Sequence, residues 1–139
     1  MGNDCFTYGT LMCPDIMTRV AGRALPGEVA WLPDHSRHPV RGETYPGLVA
    51  APGGRVEGRL YRGLDDVAFA RLDTFEGAMY ERRAVRVNLV GGSEVDAWCY
   101  ICRDEYGYLL LPGDWDFAAF LATGKAAFEA RYLGFKALE

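Results

Sequence analysis

The sequence predicts an α+β domain with a curved or closed sheet. Three observations lead there: several short runs alternate apolar and polar residues, few segments carry a helical period, and glycine and proline punctuate the chain, 17 and 7 times in 139 residues. Half the residues are apolar and 13% aromatic, enough to fill an interior. The length is that of one domain, so residues 1–139 are expected to form a single domain, with residues 112–139 as a C-terminal helical extension.

Taken in order, Cys5 to Leu11 is aromatic and β-branched, and reads as a strand running into a turn at Gly9. Pro14 and Asp15 open a short helix with Ile16, Met17 and Val20 on its buried face, closed by Gly22. From Leu25 to Leu64 the punctuation is dense, and three brief strands are expected: Val29 to Leu32, Gly47 to Ala50, and Arg55 to Tyr61. The polar stretch His35 to Pro46 reads as a loop that shapes a pocket. Asp65 and Asp66 cap a helix carrying Val67, Phe69, Ala70, Leu72 and Phe75, which stops near Gly77. Tyr80 to Val90 alternates, Gly91-Gly92-Ser93 turns, and Val95 to Ile101 returns as the partner strand of a hairpin. After Pro112-Gly113, Asp114 is expected to cap a helical region carrying Trp115, Phe117, Ala118, Leu121, Ala127, Phe128 and Tyr132, with Gly124 as a break. Exposed aromatics in that region permit a homodimer.

Charge narrows the range of partners. Fifteen Lys and Arg against nineteen Asp and Glu leave a net charge of −4, which argues against binding nucleic acid through its phosphates. The short cluster Arg82, Arg83 and Arg86 lies on a strand and reads as a solvated face. Residues Met1 to Cys5 carry neither the basic nor the apolar part of a secretory signal, and Phe6 stands where a myristoylation pattern needs Ser or Thr. With no run of about 18 apolar residues either, a soluble cytoplasmic protein with no membrane partner is expected.

Cys99 and Cys102 have the spacing of a redox or zinc pair, but they fall in or beside a strand. There, residues three apart face opposite ways, so the two thiols should not meet. They read, with Cys5 and Cys13, as buried reduced cysteines.

Two features carry chemistry. Tyr8-Gly9-Thr10-Leu11 is a glycine turn leaving a strand: without a Cβ the backbone at Gly9 approaches a ligand closely, and successive free N–H groups form an anion-binding nest. Glu76 ends an apolar helical run beside a glycine, among aromatics. A carboxyl carried from there into an apolar pocket has its pKa raised, which suits general acid/base work. Taken alone, the first reads as an ordinary turn, and the second is only suggestive, with a solvent-facing glutamate as its alternative although a helix C-terminus is an unfavourable place for one.

Together, and in this order, they resemble the γ-glutamylcyclotransferase (AIG2-like) family. In that family a Tyr-Gly-Ser/Thr-Leu turn follows the first strand, and a later Leu-Asp-x-Phe-Glu-Gly-x-x-Tyr-x-Arg segment carries the catalytic glutamate. Here Tyr8 to Leu11 and Leu72 to Arg82 match both without a gap, while Tyr45-Pro46-Gly47-Leu48 and Gly58 to Tyr61 resemble the segments between. The resemblance covers residues 5 to 102 and implies a small mixed β-barrel with flanking helices.

It also implies an enzyme that cyclises a γ-glutamyl amide to 5-oxoproline and releases the amine, without metal or cofactor. By the same resemblance Glu76 is the catalytic acid/base, the N–H groups of Gly9, Thr10 and Leu11 hold the substrate's α-carboxylate or the oxyanion, and Tyr8 and Tyr45 are candidate pocket walls. The partner is then a small γ-glutamyl compound. Removal of a γ-glutamyl group from a biosynthetic intermediate, and a non-catalytic binding module, are the alternatives on the same fold.

Overall fold

Strands β1 (Cys5–Thr7), β2 (Gly27–Pro39), β3 (Pro46–Tyr61), β4 (Tyr80–Leu89) and β5 (Glu94–Cys102) close into a barrel in the order β1-β3-β2-β4-β5. Neighbours are antiparallel except β1 and β5, which meet in parallel at Cys5 and Trp98. These elements come from a computed structural model that describes residues 3–139. Met1 and Gly2, on which the signal and lipidation readings partly rest, lie outside the described residues.

The glycines and prolines between Leu25 and Leu64 do not divide the region as expected. Instead of three brief strands and a long polar loop there are two long strands, β2 and β3, paired from Gly27–Tyr61 to Pro39–Pro46. His35 to Pro39 belongs to β2, so the connection is residues 40–45 alone. The irregularity is absorbed by a bulge between Pro33 and His35, where Asp34 takes a φ of 61° and its carboxylate accepts the Gly53 N–H at 3.0 Å. A strand that bends round a small barrel uses such bulges, and they are where a ladder tolerates proline. At Gly58 the walls draw close: a Cβ there would stand 2.1 Å from the Thr7 carbonyl of β1.

Strand alternation divides the apolar residues between two cores. Phe6, Leu32, Leu48, Val56, Leu60, Val87, Cys99 and Ile101 fill the barrel. Their neighbours Cys5, Tyr61 and Tyr100 face outward and are covered by helices α1 (Pro14–Ala21) and α2 (Asp66–Glu76). Both helices carry the caps expected: Pro14 at the start and Gly22 at φ 91° after the end of α1, and Asp65 accepting the Ala68 N–H at 2.8 Å on α2. The two cysteines at the end of β5 are buried and unpaired, as are Cys5 and Cys13.

The C-terminal segment differs from expectation in three ways. Asp116, not Asp114, caps its first turn, accepting the Ala119 N–H at 3.1 Å, because Asp114 is held by Arg37. The helix does not break at Gly124. A short α3 (Phe117–Ala119) widens into a π-turn over Phe120–Gly124, continues as α4 (Lys125–Arg131), and breaks at Tyr132 before α5 (Leu133–Ala137). No aromatic of this segment is exposed: Trp115, Phe120, Phe128 and Phe135 join the helix-covered core, packing edge-on or tilted against one another and against Phe75. Gly134 permits this, since a Cβ there would lie 2.3 Å from the Phe75 carbonyl. No helix among the described residues is long and apolar enough to cross a membrane.

Candidate functional site

Glu76 ends α2 on the helix's buried face. It lies one turn beyond Leu72 and two beyond Phe69, both buried, so helical geometry turns it the same way. Gly77, at φ 75°, ends the helix there. From the junction of α4 and α5, Tyr132 donates its hydroxyl to the Glu76 carbonyl at 3.2 Å and braces this last turn.

The Glu76 side chain helps line a pocket of about 410 Å³, counting the solvent at its mouth. Aromatic rings make up much of the wall. Tyr45 meets Tyr132 edge-on at 5.3 Å between centroids, Phe128 stacks on Tyr132 at 4.7 Å, and Phe75 tilts against Tyr132 at 4.9 Å. These walls stand close, and only a narrow part of the space is wide enough for water.

No described residue hydrogen-bonds the Glu76 carboxyl, whose pKa is pushed up to about 8, first by burial and then by the nearby Asp73 carboxylate. Asp73 itself faces away, gripped by Arg82 through two nitrogens at 2.9 and 3.2 Å and by the Tyr100 hydroxyl at 2.6 Å. The surroundings of Glu76 thus favour its protonated form in the free protein.

The turn after β1 lines the same pocket. A short 3₁₀ helix, Thr10–Met12, uses the N–H groups of Met12 and Cys13, at 3.0 and 3.1 Å from the Gly9 and Thr10 carbonyls. The N–H groups of Gly9, just before it, and of Thr10 and Leu11, its first two residues, have no acceptor among the described residues, as the start of a helix requires. Tyrosines hold the turn in place: Tyr61 donates to the Leu11 carbonyl at 2.8 Å, and Tyr8 to the Tyr100 carbonyl at 2.6 Å. A second demand for glycine at position 9 comes from packing. What approaches its backbone is the ring of Pro46, 2.8 Å from where a Cβ would stand.

These are the two motifs read from the sequence, now facing one cavity. Over residues 5–117 the chain matches the family model described as "Gamma-glutamyl cyclotransferase, AIG2-like". The chain belongs to that family.

The AIG2-like relatives agree. AIG2-like protein D of Arabidopsis thaliana is 32% identical over 116 residues, covering 81% of this chain and 74% of that protein. A solution structure of an Arabidopsis thaliana protein superposes with a TM-score of 0.73 at 25% identity, over 92% of this chain and 86% of that one. A solved structure titled "Gamma-glutamyl cyclotransferase" superposes with a TM-score of 0.65 over 74% of this chain and 68% of that one; at 21% identity it speaks for the fold alone.

Within this AIG2-like fold, Tyr8, Gly9, Thr10, Leu11, Tyr45 and Glu76, all named from the sequence, line the one pocket. Tyr8 contributes its ring, since its hydroxyl is engaged by the backbone of β5. Tyr45 comes from the 40–45 connection and has no hydrogen-bond partner for its hydroxyl among the described residues; burial pushes its pKa up to about 12. Sequence reasoning missed other parts of the wall, among them Phe75, Tyr80, Tyr100, Phe128 and Tyr132. Phe75, Phe128 and Tyr132 carry helical periodicity and Tyr80 and Tyr100 lie on strands, and neither pattern distinguishes a pocket wall from a core. The cluster Arg82, Arg83 and Arg86 stays outside the pocket, each arginine in ion pairs with Asp or Glu.

Proposed function

We propose that this protein cyclises a γ-glutamyl amide to 5-oxoproline and releases the amine, with Glu76 as its acid and base. One observation carries the reading: a carboxyl and three backbone N–H groups, none with a partner among the described residues, share one aromatic-walled pocket.

The chemistry needs little beyond these groups. The substrate's α-amine is tethered to the γ-carbonyl it attacks, and such tethering is worth about 7–11 kcal/mol when well oriented. No metal or cofactor enters the scheme. Glu76, ionised on binding the cationic substrate, takes a proton from the α-ammonium. The freed amine forms the new C–N bond, and the carbonyl electrons move onto oxygen. When they return, the old amide C–N bond breaks and the departing nitrogen takes the proton from Glu76; the ring nitrogen then gives its second proton to the regenerated carboxylate, which passes it to the released amine. A carboxyl with its pKa near neutrality serves both steps. The N–H groups at Gly9, Thr10 and Leu11 receive the α-carboxylate or the developing oxyanion; removing one well-placed oxyanion donor typically costs about 2.7–4 kcal/mol.

The test is turnover of a small panel of γ-glutamyl amides, followed by 5-oxoproline release, for the wild type and Glu76→Gln. The wild type should release 5-oxoproline from at least one amide, and the variant should fold and release none. Binding of 5-oxoproline without consumption of any amide would make this a binding module instead. Wild-type turnover by Glu76→Gln would overturn the role of the glutamate.

A further inference from the structure

The Tyr8–Gly9 peptide is gripped from outside the pocket by a residue of β2. Arg37 donates from Nη1 to the Tyr8 carbonyl at 2.8 Å and to the Glu57 carbonyl at 3.3 Å. Its Nε and Nη2 hold the two Asp114 oxygens at 2.8 and 3.1 Å, and its guanidinium lies 5.6 Å from the Trp115 ring centroid. The Arg37 side chain is only 11% exposed, whereas the Asp114 carboxylate that holds it is 67% exposed.

A trans peptide directs its C=O and N–H in opposite directions, and no described peptide is cis. With the Tyr8 oxygen drawn towards Arg37, the Gly9 N–H of the same peptide points the other way. Gly9 lines the Glu76 pocket, and this N–H has no acceptor among the described residues. Glycine leaves its flanking peptide planes loosely held, so a donor at this place needs an external lock. We propose that Arg37, anchored by Asp114, is a positioning residue that aims the Gly9 N–H into the pocket to receive the carboxylate of the substrate and of 5-oxoproline. The inference rests on the pocket reading above, and it couples the segment after Pro112 to a turn at the start of the chain.

Arginine suits the task because its planar fork reaches the Asp114 carboxylate and the Tyr8 carbonyl at once, which a lysine ammonium on a flexible stem cannot do. Charge makes the inference separable from simple electrostatics. Asp114→Asn removes a negative charge near the turn, so a field effect alone would tighten anion binding. Release of the clamp would weaken it.

The experiment compares the affinity for 5-oxoproline with that for 2-pyrrolidinone, the same ring without its carboxylate, by titration calorimetry at fixed salt. The wild type should favour 5-oxoproline. Arg37→Lys should lose about tenfold of that preference, the scale of one hydrogen bond to a charged group, and Asp114→Asn a smaller part of it, with 2-pyrrolidinone binding unchanged in both. Should Arg37→Lys not fold, the exposed Asp114→Asn decides alone. An unchanged or stronger preference in the variants would overturn the clamp and leave the pocket assignment standing. A wild type with no preference would overturn the carboxylate reading of the turn, and the clamp with it.

Discussion

The ring of Pro46 lies so close to Gly9 that a Cβ on the glycine would stand 2.8 Å from two of its carbons. Pro46 in turn is held by the Tyr80 hydroxyl, which donates to its carbonyl at 2.7 Å. The first residue of β3 therefore seats the turn that lines the pocket, and there is no flexible side-chain end to give way. Gly9→Ala should destabilise the fold by about 1–3 kcal/mol through overpacking and weaken 5-oxoproline binding with it. Gly53→Ala is the control. Its φ of 83° makes alanine unfavourable, but nothing lies within 4 Å, so it should cost about 1–2 kcal/mol and leave binding alone. Urea denaturation and calorimetry separate the two; a Gly9→Ala protein with wild-type affinity would show that the Pro46 contact does not set the turn.

Glu76 dictates a pH dependence of activity. Its pKa of about 8 in the free protein means that kcat/KM should climb with pH and level off near that value, and a limb at the ordinary carboxylate position would contradict the desolvated site. The Asp73 carboxylate is the smaller of the two causes of the rise. Asp73→Asn should therefore move the limb to lower pH without abolishing turnover.

The same group leaves its mark on stability. The folded protein holds a proton on Glu76 that the unfolded chain gives up near the ordinary glutamate value of 4.5. Stability is therefore unaffected by this group below that pH, declines as pH rises from there towards about 8, and is constant above. Glu76→Gln carries no such penalty. At pH 8 it should be more stable than the wild type by up to about 4 kcal/mol, since a tenfold change in a proton-binding equilibrium corresponds to about 1.4 kcal/mol and the pKa moves from 4.5 to about 8, and no more stable at pH 4. Thermal melts at the two pH values check this; equal gains at both would point to packing rather than ionisation.

Thiol chemistry offers an independent check on the architecture. Cys5, Cys13, Cys99 and Cys102 are all buried and unpaired, and burial raises the pKa of each. A buried protonated thiol is inert. An aromatic disulfide reagent should react slowly with the native protein and quickly with four thiols once guanidinium unfolds it. A fast pair in the native state would mean that Cys99 and Cys102 lie in a turn, not along β5.

Local pattern was enough for the helices α1 and α2, the hairpin of β4 and β5, and the place of Glu76, because capping, helical period and alternation act over a few neighbouring residues. The matched motifs at Tyr8–Leu11 and Leu72–Arg82 identified the family and named two of the elements that line the pocket. The long strands β2 and β3 were hidden because a bulge at Asp34 and a crossing at Gly58 are properties of a closed barrel, where glycine and proline relieve curvature instead of ending a strand. Only the tertiary structure brought Phe128 and Tyr132 over Glu76, and Arg37 and Asp114 behind Tyr8. Those contacts join residues scores of positions apart, and no local period records which buried ring faces a cavity or which arginine grips a carbonyl across the fold.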